Sequence, residues 1–319
     1  MSRMLRRLAG GLLAGAVVLA ALLPARAEAP LIISVVLSRD VAPYRQALKG
    51  FEEVLRSSGR EYKLYEYSAE GSALDPDGLA EKIRSRRPSM ILTIGSSATE
   101  IVARRITHIP IVFSLVLPSS GGGALDGIRA HVNVTGSSME IPVRTQFVKI
   151  REVLPSARRM GVLYDPEVTG PLVESASRVA SGMGLELVML PVSSEKDLVD
   201  ATGDLGSRID VLWSVADSTV FSPQGFRQVL LATLRSRVPF VGLSPSFVKA
   251  GALLALSVDY QDVGRQSGEQ ALRVLAGEAP SEIPVTAPRS LSLSLNLNTA
   301  KQIQLTIQDE IRAQAEVFF

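Results

Sequence analysis

From Pro30 onward, short apolar runs of strand length alternate with stretches whose apolar residues recur at helical spacing, a rhythm that few architectures accommodate. Leu31–Leu37 is such a run. Tyr44, Leu48, Phe51 and Leu55 follow, spaced 4, 3 and 4, which puts them on one helical face. The pattern continues with a strand over Glu61–Tyr67, a helix over Asp75–Arg87, a buried strand at Met90–Ile94 and a helix from Ser96 to about Ile106. Ile109–Phe113 closes the series, and Pro110 suits a strand start because it has no N–H for a sheet ladder. Strands alternating with helices imply βαβ units, hence a parallel sheet covered on both faces.

The rhythm recurs in the second half. Met160–Tyr164, Leu185–Leu190, Val211–Ser214 and Val238–Val241 read as strands, with helices near Leu172–Ser181, Glu195–Leu205 and Gln224–Arg235. A chain of 319 residues suits about two domains, so two similar α/β units are expected rather than one long sheet. The seam is expected at Gly136–Pro142, after a strand at Ile128–Val134 and before a helix carrying Phe147, Ile150 and Leu154. Beyond it, Ala252–Val258 reads as a strand, Tyr260–Leu275 as a helix, Ser290–Leu295 as a strand and Asn298–Phe318 as a final helix. These are too few elements for a third core, so they should return to the two sheets already built. The expected fold is α/β: two Rossmann-like lobes with parallel sheets, joined by a three-strand hinge crossing near 141, 258 and 288. One lobe then comprises 28–140 plus 259–287, the other 141–258 plus 288–319. A hinge between two such lobes makes a cleft.

Charge and cysteine content narrow the function. There are 34 Lys and Arg against 32 Asp and Glu, for a net charge of +2. Arg3, Arg6, Arg7 and Arg26 lie in residues 1–27, which hold no acid, so the remainder carries −2. A basic nucleic-acid footprint is therefore absent, and no segment remains for an N-terminal helix-turn-helix. Residues 1–27 read as an export signal: a positive start, an uncharged stretch from Leu8 to Leu23, then Pro24 and the small-x-small site Ala25-Arg26-Ala27. With no cysteine for a lipid anchor at the cleavage site, the mature chain is expected in the periplasm, soluble and monomeric. Zero cysteine also removes thiolate metal sites and thiol nucleophiles, and His108 and His131, 23 residues apart, make a poor metal centre. No metal and no cofactor are expected.

The motifs argue against catalysis. Gly242-Leu243-Ser244-Pro245-Ser246 nearly matches the nucleophile elbow, but that reading needs a histidine after the serine, and the last one is His131. Pro245 also lacks the N–H that would serve an oxyanion hole. Gly121-Gly122-Gly123 leads into Ala124 rather than Lys-Ser/Thr, so it reads as a turn and not a phosphate loop. Asn133-Val134-Thr135 has the form of a glycosylation sequon but reads as a strand end.

Hydroxyls and acids placed after strands are more informative. Ser96 and Ser97 follow the strand Met90–Ile94 and open a helix, where free backbone N–H groups favour a negative ligand group and where simple N-capping is the competing explanation. Ser38 and Arg39 after the first strand, Ser114 after the fourth, Ser137 in the seam, Tyr164 and Asp165 at the end of the sixth, Asp217 after Trp213-Ser214, and Ser244 occupy comparable edges. Their recurrence at the edges facing the cleft favours a site for a polar ligand. The candidate ligand-binding residues are thus Ser38, Arg39, Ser96, Ser97, Ser114, Ser137, Tyr164, Asp217 and Ser244.

Several segments also match a known family in order. Asn133-Val134-Thr135-Gly136, then Leu154-Pro155 with Arg159-Met160-Gly161-Val162-Leu163-Tyr164-Asp165-Pro166, resemble the solute-binding proteins of ABC importers. So do Val248-Lys249-Ala250-Gly251-Ala252-Leu253-Leu254, Asp259-Tyr260, Gly264-Arg265-Gln266 and Asn296-Leu297-Asn298-Thr299-Ala300-Lys301. The match covers nearly all of 31–319, and the branch is the one that includes aromatic amino-acid binders. Where relatives commonly carry Asp-Pro after the fifth strand this chain has Leu117-Pro118, and it has Ser244-Pro245 where aromatic amino-acid binders tend to have an acidic pair.

The resemblance implies a type I periplasmic binding protein that closes on a small, polar, amino-acid-like solute and delivers it to a membrane ABC permease. It would perform no chemistry on the solute. By position, Ser96 and Ser97 would receive a ligand carboxylate, Asp217 a ligand amine, and Tyr164 an apolar portion. The alternative output is signalling, with the closed form presented to a membrane receptor kinase.

Overall fold

The computed structural model describes residues 30–70, 75–117 and 131–318. The export signal expected at 1–27, Pro118 and the glycine triplet at 121–123 lie outside them. The first sheet holds β1 (Leu31–Leu37), β2 (Tyr62–Ser68), β3 (Met90–Ile94), β4 (Ile111–Val116) and β5 (Val134–Ser138) in the order β2-β1-β3-β4-β5, all parallel. Its core strands are buried on both sides because helices cover both faces. α2 (Pro76–Ser85) and α3 (Ser96–Ala103) cover one face with Leu79, Ile83, Ala98 and Val102. On the other face, α1 (Ala42–Ser57) brings Leu48, Phe51 and Leu55, the helical stripe seen in the sequence.

The second sheet repeats the plan. β6 (Arg159–Tyr164), β7 (Glu186–Pro191), β8 (Val211–Trp213), β9 (Phe240–Gly242) and β10 (Leu254–Val258) run in the order β7-β6-β8-β9-β10, all parallel. α4 (Val143–Val153) and α5 (Gly170–Ser181) pack Phe147, Ile150, Val173 and Ala176 on one face. α6 (Glu195–Thr202), α7 (Leu205–Arg208), α8 (Pro223–Arg235) and α9 (Pro245–Ala250) lie on the other side, with Leu198, Leu205 and Val229 in its core. In both sheets the chain reverses winding direction after the first strand, which opens a crevice at the carboxyl ends of β1 and β3 and of β6 and β8.

The C-terminal elements return to both sheets. α10 (Tyr260–Leu275) leaves β10 and packs beside α1 on the first sheet, where Gly50 and Gly264 let the two backbones touch. A Cβ on Gly264 would fall on the Ala47 carbonyl, and one on Gly50 on the Gln261 carbonyl. The chain then returns as β11 (Leu291–Asn296), antiparallel to β10. It passes between the sheets three times, through 139–142, at Asp259 and through 287–290.

Several local expectations are corrected. β4 begins after Pro110 and runs to Val116, with a bulge where Leu115 takes φ 58°. Of the strand expected at 128–134, residues 128–130 lie outside the described residues, and β5 is Val134–Ser138, which shortens the expected seam to 139–142. Glu195–Leu205 divides into α6 and α7. The single final helix is instead α11 (Leu297–Gln302), α12 (Asp309–Gln314) and β12 (Ala315–Phe318), which pairs parallel with β11. Gln304 ends α11 by entering the left-handed region at φ 60°, so that Leu305 N–H can close on the Ala300 carbonyl, and the chain end covers a sheet edge.

Candidate ligand-binding cleft

Both sheets turn carboxyl edges toward one cavity of about 460 Å³, within the roughly 300–1,000 Å³ common for small-molecule sites. The first sheet contributes Leu117 after β4 and Met139, Glu140 and Ile141 after β5. The second contributes Trp213 to Ala216 after β8 and Gly242 to Pro245 after β9. Leu172, Leu256, Ser257 and Tyr260 complete much of the wall, which is chiefly apolar with a few polar groups.

Two of those polar groups are already engaged. Ser214 Oγ donates to the Val241 carbonyl at 2.6 Å. Gln146 Nε2 donates to the Ile141 carbonyl at 2.8 Å while its Oε1 accepts from Trp213 Nε1–H at 2.8 Å. Phe147 meets the same indole edge-on, with ring centroids 5.0 Å apart at 77°. Ser244, Ser257, Glu140 and Tyr260 also line the cavity.

Of the nine residues picked from the sequence, Ser244 alone lines this cavity. Ser96 touches its rim by accepting from Leu117 N–H at 3.3 Å, and Ser97 is exposed on the same helix turn. Neither serine caps α3. Gly95 takes the N-cap position, and Ser38 Oγ, arriving from the neighbouring strand, accepts from Ala98 N–H at 2.9 Å. Arg39 is exposed beside the Asp40–Arg45 ion pair, in which the Arg45 guanidinium holds the Asp40 carboxyl below its ordinary range. Ser114 is buried, and its Oγ has no hydrogen-bond partner among the described residues.

Asp217 differs most from its expected role. Its carboxylate is 2% exposed and accepts four hydrogen bonds: from Asp165 N–H (2.8 Å) and the Thr169 hydroxyl (2.6 Å) on Oδ2, and from Thr219 N–H (3.0 Å) and Val220 N–H (3.1 Å) on Oδ1. Four acceptor sites are about all that a carboxylate has, so this one is filled by its own chain. It ties the end of β6 to the end of β8 and fixes the loop that carries Ser214 to Ala216. Tyr164 packs with the core of the α4–α5 face and does not line the cavity.

Ser137 belongs to a knot between the crossings. It donates to Gln270 Oε1 at 3.0 Å and accepts from the Thr286 hydroxyl at 3.0 Å. Asn133 of the formal sequon is likewise internal, with Nδ2 donating to the carbonyls of Ile106 and Ile109.

Sequence reasoning passed over Trp213, Gln146, Leu117, Leu256 and Tyr260 as site residues. One signal was there: the chain's one tryptophan stands at the last position of a strand, at the carboxyl edge of a parallel sheet.

The sequence profile of the family described as ABC transporter substrate binding protein matches residues 32–318. The chain is 24% identical over 267 residues to the tyrosine-binding protein of Clostridioides difficile, covering 82% of this chain and 77% of that one. The ligand-free, open structure of a substrate binding protein with adhesive properties from Clostridium difficile superposes with a TM-score of 0.75 at 19% identity, covering 90% of this chain and 99% of that one. An ABC domain from Streptococcus pneumonia in complex with L-Trp superposes with a TM-score of 0.59 at 20% identity, covering 91% of this chain and 100% of that one.

Proposed function

The chain belongs to the ABC transporter substrate binding protein family, and from that premise we propose that it captures an aromatic amino acid, or a solute of that kind, in the interlobe cleft and hands it to a membrane permease. Members of the family bind substrates rather than transform them, and this chain is a binding protein, not an enzyme. The observation that carries the ligand reading is the cleft wall itself. Leu117, Leu172 and Leu256 offer an apolar surface, backed by Trp213, which is 2% exposed, and Ser244 and Ser257 stand beside it. A ring could lie on the former and an amine or hydroxyl meet the latter. Relatives named for tyrosine and seen with L-Trp support the same class.

Capture works by population shift. A solute held from both sheets contacts more of the protein when the lobes approach, so it favours the closed arrangement by the difference in its contacts with the two states. Lobes of 28–140 with 259–287 and of 141–258 with 288–319 are part of this reading, supported by the three crossings. So are export to the periplasm through residues 1–27 and action as a monomer. No described helix is long and apolar enough to cross a membrane.

Calorimetric titration with L-tyrosine, L-tryptophan and L-phenylalanine, beside ribose and myo-inositol, tests the proposal. One of the aromatic amino acids should bind, and at a hundredfold excess over its Kd should add about 2.7 kcal/mol to the unfolding free energy. Tight binding of a sugar with none of the three amino acids would overturn it.

A further inference from the structure

The Gln146 carboxamide joins two parts of the cleft, the first crossing and the end of β8. Its orientation follows from chemistry alone: the indole N–H can only donate and the Ile141 carbonyl can only accept, so Oε1 must face Trp213 and Nε2 must face Ile141. Ile141 lies on the 139–142 crossing, whose backbone has to turn if the lobes move relative to each other. Trp213 ends β8 at the cavity wall, 2% exposed and packed into the core behind Ser214–Ala216. Gln146 itself sits in the first turn of α4, anchored by its N–H to the Pro142 carbonyl at 3.0 Å.

We infer that Gln146 is a positioning residue that couples the first interlobe crossing to the end of β8 behind the cleft wall. It holds the buried indole against which the Ser214–Ala216 stretch of the wall rests, and it passes any turn of the Ile141 peptide to that stretch. Phe147, the next residue on the same helix, sets the ring's other side, so the indole is held by a hydrogen bond along one direction and by an edge contact along another. Ligands that press on the wall after β8 therefore bias the crossing, and ligands that do not touch it leave the crossing unbiased. The inference rests on the reading of the cleft as the solute site.

The chain's one tryptophan makes the coupling measurable without any ligand. In the ligand-free protein, Gln146→Leu should give faster indole depolarisation and a shifted emission maximum. It should also bind L-tyrosine or L-phenylalanine at least tenfold more weakly than wild type. Gln146→Glu keeps an acceptor for the indole but turns a carboxylate oxygen toward the Ile141 carbonyl. It should retain the wild-type depolarisation rate and still lose affinity. That split distinguishes positioning from simple destabilisation, and Gln146→Glu also serves should the leucine variant not fold.

Wild-type depolarisation in Gln146→Leu, or wild-type affinity in both variants, would overturn the inference. If the wild-type protein bound none of the probes, the proposed ligand class would fail, and the depolarisation comparison would still decide whether Gln146 holds the indole.

Discussion

Arg289 and Asp262 meet in a two-pronged ion pair, Nη2 to Oδ1 at 3.0 Å and Nε to Oδ2 at 3.0 Å, which fastens the last interlobe crossing to the first turn of α10. Gln266, one turn on, donates to the Ala287 carbonyl at 2.9 Å and accepts from Arg289 N–H at 3.2 Å. Gln270, another turn on, donates to the Gly136 carbonyl at 3.1 Å and the Pro284 carbonyl at 3.0 Å. One face of α10 thus grips the returning chain through Ser290, whose carbonyl also accepts from Asp259 N–H at 3.3 Å.

This ion pair gives stability a pH dependence. Burial pushes the Asp262 carboxyl up, but hydrogen bonds from Arg289, Ser290 and Arg265 together outweigh it and hold the group below its ordinary range. A carboxyl depressed in the folded state stabilises fully above its unfolded value of about 3.9 and loses that contribution as pH falls through the folded value. Asp262→Asn should therefore be less stable than wild type at neutral pH, with the gap narrowing below about pH 4. Urea unfolding across that range checks it, and a gap that stays constant would contradict the account.

Asp217→Ala should act on folding before it acts on binding. The substitution leaves the N–H groups of Asp165, Thr219 and Val220 without their acceptor in a buried site. The cost should be about 3 kcal/mol or more in urea unfolding. Wild-type stability with a selective loss of affinity would instead place this carboxylate on the ligand.

Trp213→Leu should weaken binding of an aromatic ligand about tenfold, near 1.4 kcal/mol, by loosening the wall that this 2% exposed side chain supports. Ser244→Ala, removing one neutral hydroxyl from the wall, should cost about two- to tenfold. Titration calorimetry ranks the two. A larger effect at Ser244 would mean that polar recognition dominates this cleft.

Gly95→Ala should destabilise the first lobe by about 2 kcal/mol or more. Gly95 has φ 91°, where a side chain is strained, and a Cβ there would lie 2.6 Å from both Ser38 Oγ and Tyr44 Oη. Ser38→Ala should cost only about 1 kcal/mol, the worth of one helix cap. Thermal unfolding of the two variants tests the order.

The fold was legible because it rests on local patterns. The 4, 3, 4 spacing of Tyr44, Leu48, Phe51 and Leu55 is a helix face wherever it docks, and Met90–Ile94 is a buried strand whichever neighbour it takes. The pattern failed near the C-terminus, where apolar spacing continues past Ile303 while the left-handed turn at Gln304 redirects the chain into β12. In the cleft, position at a strand end was legible and availability to a ligand was not.

What the chain determined by itself is the alternation that makes two mostly parallel sheets with helices on both faces, since side-chain periodicity and strand length are local properties. Tertiary structure alone decided which polar groups face a ligand. Ser38 serves a helix 60 residues away, Asp217 Oδ2 is filled by donors 52 and 48 residues before it, and Trp213 is oriented by a glutamine 67 residues earlier. Whether a carboxylate or hydroxyl is free to bind depends on which donors and acceptors the folded chain brings within 3 Å or so of it, and those partners are set by packing rather than by neighbours in sequence.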